Sequence, residues 1–305
     1  MKLSVIIPSY NRLDNLDLCL EKLSRQTLGR ENFEIIIIDD GSDNYEEKII
    51  VSLFDKFNLS GKYFRQEKEG PAAARNRGVK LASGEIILFT GDDMMATENF
   101  LQIHYNFHCK YSADNFAMLG RVAWPLEWEI TDFMKWLDTT GFQFDFASLK
   151  AGEETDFKHF YTSNISLKKE FLVDNGLFNE DFPYAAFEDT ELGYRLWKRG
   201  LKLIYQPESL VYHYHRLDLG SYSIRTERAG VSAVILSRIH PELEDQILIK
   251  TNIKFYFKNI IKLVICLFGK IFRINKWRWH CYSLKILKHY VRGCRKEQKN
   301  ISNHS

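Results

Sequence analysis

The chain has 305 residues, 45% of them hydrophobic and 27% charged, which supplies a real core for one large domain or two ordinary ones and excludes a disordered, collagenous or disulfide-miniprotein class. The formal charge of +2 hides an asymmetry: residues 250–305 hold 14 Lys/Arg against the single acid Glu297, while residues 1–249 hold 28 basic against 39 acidic side chains. A tail so unlike its body points to an anionic partner of its own, membrane or nucleic acid.

Leu3 to Ile7 is a continuous apolar run closed by Pro8-Ser9-Tyr10-Asn11, too short for a signal peptide, and it predicts a strand. Leu13, Leu16, Leu20 and Leu23 follow at helical steps. Phe33 to Ile38 is a second uninterrupted run, ending in Asp39-Asp40-Gly41-Ser42, and Ile49 to Phe57 marks another helix. A short strand near Tyr63–Arg65, a helix from Pro71 to about Gly84, and a strand over Glu85–Thr90 ending in Gly91-Asp92-Asp93 continue the rhythm. Strands apolar on both faces, alternating with helices, predict an α/β architecture with a mostly parallel sheet. After Phe116–Ala123 the segment 124–160 is irregular and aromatic, as expected of lid or acceptor-side insertions. A strand over Phe160–Leu167, a helix from about Thr190 to Arg199 and a strand pair around Leu203 and Val211 complete the body. From about 221 onward the pattern is helical, with lysines interleaved among aromatic and aliphatic residues over 247–268 and 277–291. The organisation expected is thus residues 1–220 as the α/β domain and 221–305 as a basic, amphipathic helical extension for membrane association or oligomerisation.

Five cysteines, Cys19, Cys109, Cys266, Cys281 and Cys294, are far apart and form no Cys-x-x-Cys or Cys/His cluster, so neither a disulfide framework nor a structural zinc site is expected, and a reducing compartment fits. The apolar stretch Ile260–Phe272 is broken by Lys262 and Lys270 and is shorter than a membrane span.

In open α/β sheets ligands gather at the carboxyl ends of strands, where this chain delivers Ser9-Tyr10-Asn11, Asp39-Asp40 and Asp92-Asp93. Two adjacent carboxylates on a buried strand end repel unless a cation or a proton intervenes, and oxygen ligation favours Mg2+ or Mn2+. The same pair also reads as a solvated turn before a helix. Asp40 offers an acceptor for an imide N–H, and Gly41 lets the backbone turn; a plain turn is the competing reading. Gly70 to Gly78, with Arg75 and Arg77, suits close approach to a diphosphate or an ordinary Ala-rich helix start. Asp189 fits a helix N-cap or a general base with Glu188 tuning it. His213 and His215 share one strand face, where paired imidazoles serve a metal, a diphosphate or simple surface chemistry.

Together, Ser4 through Arg12, Ile38 through Ser42, Gly70 through Gly78, Gly91-Asp92-Asp93 and Glu188-Asp189 stand in the order and spacing of the family 2 glycosyltransferases, which the chain resembles over about residues 1–215. The resemblance implies the GT-A fold, a Rossmann-like nucleotide-sugar-binding mixed sheet flanked by helices, to which the tail is an addition. It implies that Pro8, Tyr10, Asn11, Asp39, Asp40, Arg75, Asp92 and Asn164 bind the nucleotide-sugar. It also implies that Asp93 with Asp92 and His213 hold a divalent metal, and that Asp189 with Glu188 is catalytic. Thr90 stands where many members carry a further acid. The chain lacks the Gln-x-x-Arg-Trp of the processive synthases, so transfer of one hexose is expected, by inversion in a single displacement. The expected donor is a UDP-sugar and the expected acceptor a glycan or lipid-linked glycan, as in polysaccharide biosynthesis. A sugar nucleotidyltransferase is the alternative enzyme, disfavoured by the lack of a Gly-rich phosphate loop with lysine. A non-catalytic nucleotide-sugar or membrane-surface binding protein is the other alternative. No nucleic-acid module is present, so the tail is read as a peripheral anchor on the anionic inner face of the cell membrane, with homodimer contacts as a further option for its helices.

Overall fold

The structure, a computed structural model, describes residues 2–43, 47–249, 263 and 275–304. Two compact units are distinguished: Met1–Trp128, Phe144–Asp181 and Glu188–His215 form the first, and Glu129–Gln143, Phe182–Phe187 and Arg216–Ser305 the second.

The first unit is built on one mixed sheet. In chain order its elements are β1 (Leu3–Ser9), α1 (Leu13–Ser24), β2 (Phe33–Asp39), α2 (Glu47–Phe57), β3 (Gly61–Arg65), α3 (Pro71–Leu81), β4 (Ile86–Thr90), β5 (Met94–Ala96), α4 (Phe100–Lys110) and β6 (Phe116–Ala123). After α5 (Asp132–Thr140), which belongs to the second unit, come β7 (Glu154–Thr155), β8 (Asn164–Lys168), α6 (Lys169–Asp174), α7 (Glu188–Lys198) and β9 (Lys202–His213). The strand order is β3-β2-β1-β4-β8-β6-β9-β5, with β7 paired to β9. β3, β2, β1 and β4 are parallel, β8 runs against both β4 and β6, and β6 and β9 are parallel. The carboxyl ends of β1, β2, β4 and β9 therefore lie along one edge of the sheet.

Side-chain alternation assigns each face its own core. Leu3, Val5, Ile7, Ile35, Ile37, Ile86 and Leu88 pack with Leu16, Leu20 and Leu23 of α1, Ile50 and Leu53 of α2, and Phe100 of α4. Ile6, Ile36, Ile38, Ile87 and Phe89 pack on the other face with Ala72, Ala74 and Val79 of α3 and with Leu192 and Leu196 of α7. Burial on both faces explains why these strands lack polar alternation. Pro71 opens α3 after Gly70, whose φ of +95° favours glycine, and a Cβ on Gly78 would strike Ile6. α3 consequently lies close on β1.

Three expectations change. The strand pair expected around Leu203 and Val211 is one strand, β9, whose pairing with β6 jumps from Gly120↔Gln206 to Arg121↔Leu210; Pro207 falls in the bulge, which local pattern reads as a break. The irregular 124–160 contains α5, capped by the Thr131 hydroxyl accepting from the Met134 N–H at 3.2 Å. Cys19, Cys109 and Cys294 are free thiols, but Cys281 is disulfide-bonded, where no disulfide was expected.

The second unit contains α5, α8 (Leu219–Ile239), the single turn α9 (Glu244–Ile247) and α10 (Asn275–His304). Asp218 and Ser221 form a reciprocal cap at the start of α8. α8 and α10 cross at Gly230 and Gly293, where an added Cβ would overlap the carbonyls of Tyr290 and Glu227 respectively. Phe133, Trp136, Tyr222 and Tyr282 form a cluster, and Asp132 accepts from Trp279 and Tyr282, both at 3.2 Å. Among the described residues no helix is long and apolar enough to cross a membrane. The amphipathic pattern expected over 247–268 and the apolar stretch 260–272 lie almost wholly outside the described residues, whereas that over 277–291 lies within α10.

Candidate active site

Three clusters meet the carboxyl edge of the sheet in the first unit. The first is the acidic pair after β4. Asp92 and Asp93 are buried, 4% and 7% exposed. Ser9, ending β1, donates its hydroxyl to Asp92 Oδ2 at 2.8 Å, and Arg12 bonds Asp92 Oδ1 at 3.3 Å and also Asp93 Oδ2. His213 Nε2 lies 3.4 Å from that same Asp93 oxygen. The backbone fixes this meeting, because Tyr214 N donates to the Asp93 carbonyl at 2.8 Å and Met94 pairs with His213 in the β5–β9 ladder. Burial, and the Asp93 charge beside it, push the Asp92 carboxyl up. For Asp93, burial acts upward too, but the His213 hydrogen bond and the charges of His213 and Arg12 outweigh it and bring the carboxyl down. His213 stacks between Trp124, 5.6 Å away at 14°, and His215, 5.7 Å away at 18°, and its Nδ1 has no partner among the described residues.

The donor chemistry fits a small divalent cation. Arg12 already stands in as the cation on both carboxylates, and a carboxylate and an imidazole nitrogen face each other at Asp93 and His213. Among the described residues no three His, Cys, Asp or Glu side chains are arranged to enclose an ion, so substrate oxygens would have to complete its shell.

The second cluster joins the ends of β1 and β2. Asp39 is fully buried: Oδ1 accepts from Ser42 N at 2.9 Å and Oδ2 from the Tyr63 hydroxyl at 2.8 Å. Asp40 accepts from Gln66 Nε2 and Glu69 N, both at 2.9 Å, and from Gly70 N at 3.0 Å. Its carboxylate thus ties β2 to the turn that opens α3. Asn11, at φ +53°, donates from Nδ2 to Asp43 Oδ2 and accepts at Oδ1 from Asp43 N, both at 2.9 Å, and its own N–H donates to Ser42 Oγ at 2.8 Å. Asn11 braces the two loops. Tyr10 is exposed under Lys68 Nζ, which sits 3.8 Å from the ring centroid, and half-buried Pro8 closes β1 with no N–H to donate.

The third cluster lies at the start of α7. Arg75, expected at a diphosphate, donates to Glu188 Oε1 at 2.8 Å, and the two side chains are 12% and 3% exposed. A buried carboxylate needs such a cation. Asp189 follows, its Oδ1 accepting from Thr190 N at 2.8 Å, and Phe187 just before takes φ +68°, a strained conformation for a bulky residue. Burial pushes the Tyr161 hydroxyl up to about 12, and the Asp189 charge adds to it.

Asn164, expected beneath the donor sugar, is fully buried and its amide is fully engaged. It donates to the carbonyls of Arg121 at 3.0 Å and Ser209 at 2.9 Å and meets His104 Nε2 at 2.9 Å. It holds the β6–β9 bulge through these bonds. Thr90 donates to the Ser163 carbonyl at 3.1 Å, so an acid there would point at a backbone oxygen. Sequence reasoning assigned no role to Arg12, Lys68, Tyr63, Gln66, Trp124 or Tyr161. Of these, Arg12 alone lies within a motif, Ser4 through Arg12.

Residues 4–156, half of the chain, match the family model described as glycosyl transferase family 2. Validoxylamine A glucosyltransferase of Streptomyces hygroscopicus is 29% identical over 278 residues, covering 79% of this chain and 61% of that protein, so the chain spans about three-fifths of the curated relative's length. Poly(ribitol-phosphate) beta-glucosyltransferase of Bacillus spizizenii is 37% identical over 37% of this chain and 18% of its own. Among solved structures, a mannosyltransferase of Pyrobaculum calidifontis in complex with GDP-Man and Mn2+ superposes with TM-score 0.69 at 15% identity, covering 97% and 87% of the two chains. Staphylococcus aureus TarS in complex with UDP gives 0.56 at 17%, covering 98% and 92%. These structural likenesses establish the GT-A fold. With the sheet order, the acidic pair at the end of β4 and the family match in agreement, the chain belongs to glycosyl transferase family 2.

Proposed function

We propose that the protein is an inverting, metal-assisted glycosyltransferase that moves one hexose from a UDP-activated donor to a hydroxyl of a glycan or lipid-linked glycan. The observation that carries the reading is the buried Asp92-Asp93 pair at the carboxyl end of β4, faced by Arg12 and His213. Two carboxylates kept at such a place await positive charge. One structural neighbour holds UDP and another holds GDP-Man with Mn2+, which is consistent with a nucleotide and a divalent ion here.

In this reading Asp93 and His213 would hold the ion, with Asp92 beside it toward the ribose, and the ion would supply positive charge against that developing on the departing diphosphate. Tyr10, Pro8 and the turn built on Asp39 and Asp40 take the nucleoside. Asp189 accepts the proton of the acceptor hydroxyl as that oxygen attacks the anomeric carbon from the face opposite the leaving group. The Arg75–Glu188 pair fixes the first turn of α7 and with it the position of Asp189. Residues 1–220 are assigned to this chemistry. Titration calorimetry tests the reading: UDP binding should weaken with EDTA and in Asp93→Ala, and equal affinity in all three conditions would contradict it.

A second assignment concerns residues 221–305. Lys285, Lys288, Arg292, Arg295, Lys296 and Lys299 are all exposed on α10 and fall within an arc of roughly 100° over roughly 21 Å, at 3.6 residues per turn. Ile286 and Cys294 are buried, so the helix offers charge rather than an apolar face for insertion. We assign this stripe to an anionic membrane surface, with each cation contributing about 1 kcal/mol. Co-sedimentation with anionic vesicles should disappear at high salt and on reversing Lys285, Lys288 and Lys299 to Glu. A full-length chain left in the supernatant at low salt would refute it.

A further inference from the structure

Arg12 holds the acidic pair. Its Nη1 bonds Asp92 Oδ1 at 3.3 Å and also Asp93 Oδ2, the oxygen that His213 Nε2 approaches at 3.4 Å. One carboxylate oxygen is therefore claimed by the guanidinium on one side and lies beside the imidazole on the other. Of the three charged partners, only the arginine has a way out: its side chain is 40% exposed, against 6% for Asp92 and 9% for Asp93. Its backbone is fixed as the residue before α1, where its carbonyl accepts from Leu16 N at 3.0 Å, and its side chain does not cap that helix.

We propose that Arg12 is an exchangeable counter-ion: it neutralises Asp92 and Asp93 while the donor site is empty, must leave when a divalent cation binds between Asp93 and His213, and then pairs with the diphosphate of the incoming nucleotide. The proposal rests on the metal-assisted reading above. Its logic is competition followed by release. A cation approaching alone must break two charge-assisted hydrogen bonds and strand a guanidinium, so it binds weakly. A nucleoside diphosphate arriving with it offers the planar guanidinium a new partner of matching geometry, so the two ligands assist each other. The dependence comes from this arginine rather than from the carboxylates.

Electron paramagnetic resonance of free Mn2+, with the full-length chain as wild type, Arg12→Ala and Arg12→Lys, tests it. Without nucleotide, Arg12→Ala should bind Mn2+ roughly tenfold more tightly than wild type, the size expected for removing one charge-assisted competitor. Arg12→Lys, which keeps the charge, should fall between them. With saturating UDP that advantage should disappear, because in the wild type the freed guanidinium regains a partner on the diphosphate. Equal Mn2+ affinity of wild type and Arg12→Ala without UDP would overturn the exchange. So would a tenfold advantage that persists unchanged with UDP, since that describes a fixed background charge. Absence of Mn2+ binding in every protein, with and without UDP, would instead refute the metal-assisted reading and the exchange with it.

Discussion

Arg75→Met is the perturbation that most directly probes how the first turn of α7 is held. Methionine keeps much of the apolar stem but removes the guanidinium, leaving Glu188 at 3% side-chain exposure without its 2.8 Å partner. Glu188 Oε2 already lacks a partner among the described residues, so no neighbouring donor stands ready to compensate. Breaking a buried pair from one side costs about 3–5 kcal/mol, and loss of the arginine's position 5.4 Å from the Phe178 ring centroid adds about 0.5–1 kcal/mol. Glu188→Gln alone should cost less, since an amide tolerates burial better than a carboxylate. The double variant Arg75→Met/Glu188→Gln should then recover at least about 2 kcal/mol relative to the sum of the two single losses. Urea unfolding followed by tryptophan fluorescence gives all four stabilities. A loss below about 1 kcal/mol in Arg75→Met, or strict additivity in the cycle, would refute the view that this ion pair fastens α7 to α3.

Two further outcomes follow from packing and burial. Gly293→Ala should destabilise the α8–α10 pair by about 2 kcal/mol or more, because its Cβ would overlap the Glu227 carbonyl; an unchanged urea midpoint would show that the helices part freely. His108 is buried against the Ser166 hydroxyl at 2.9 Å, and burial pushes its imidazole down to about 3. The folded form thus refuses a proton that the unfolded chain accepts near pH 6.5, so this contribution is present above that pH and is lost as pH falls toward 3. Between pH 7.5 and 5.5 the stability of wild type relative to His108→Gln should fall by about 1.4 kcal/mol, and a pH-independent difference would show that His108 is already protonated or reached by water.

Much of the sheet was legible because its strands are apolar on both faces and end in polar turns. Leu3 to Ile7, Phe33 to Ile38 and Glu85 to Thr90 all read correctly as strands. What local pattern could not reveal were long-range arrangements. β9 looked like two strands because Pro207 interrupts its periodicity, although the bulge is held from outside by Asn164. Asn164 was assigned to the donor by motif position, and only the fold shows its amide consumed by Arg121, Ser209 and His104. The pairing of Arg75 with Glu188 spans 113 residues and leaves no local trace in the sequence. Arg12 was visible within its motif, but its role depends on the separation between β1 and β4 that brings Ser9 and Arg12 to Asp92.

The central claim is that Asp189 removes the acceptor proton in a sugar transfer from a nucleotide donor. Release of UDP from a panel of UDP-sugars, measured with Mn2+ and a glycan acceptor for wild type and Asp189→Asn, tests it most directly. The account predicts that Asp189→Asn keeps its fold and UDP affinity but loses turnover by ~10²–10⁴-fold, the usual worth of a general base. Wild-type turnover in a folded, UDP-binding Asp189→Asn protein would contradict it.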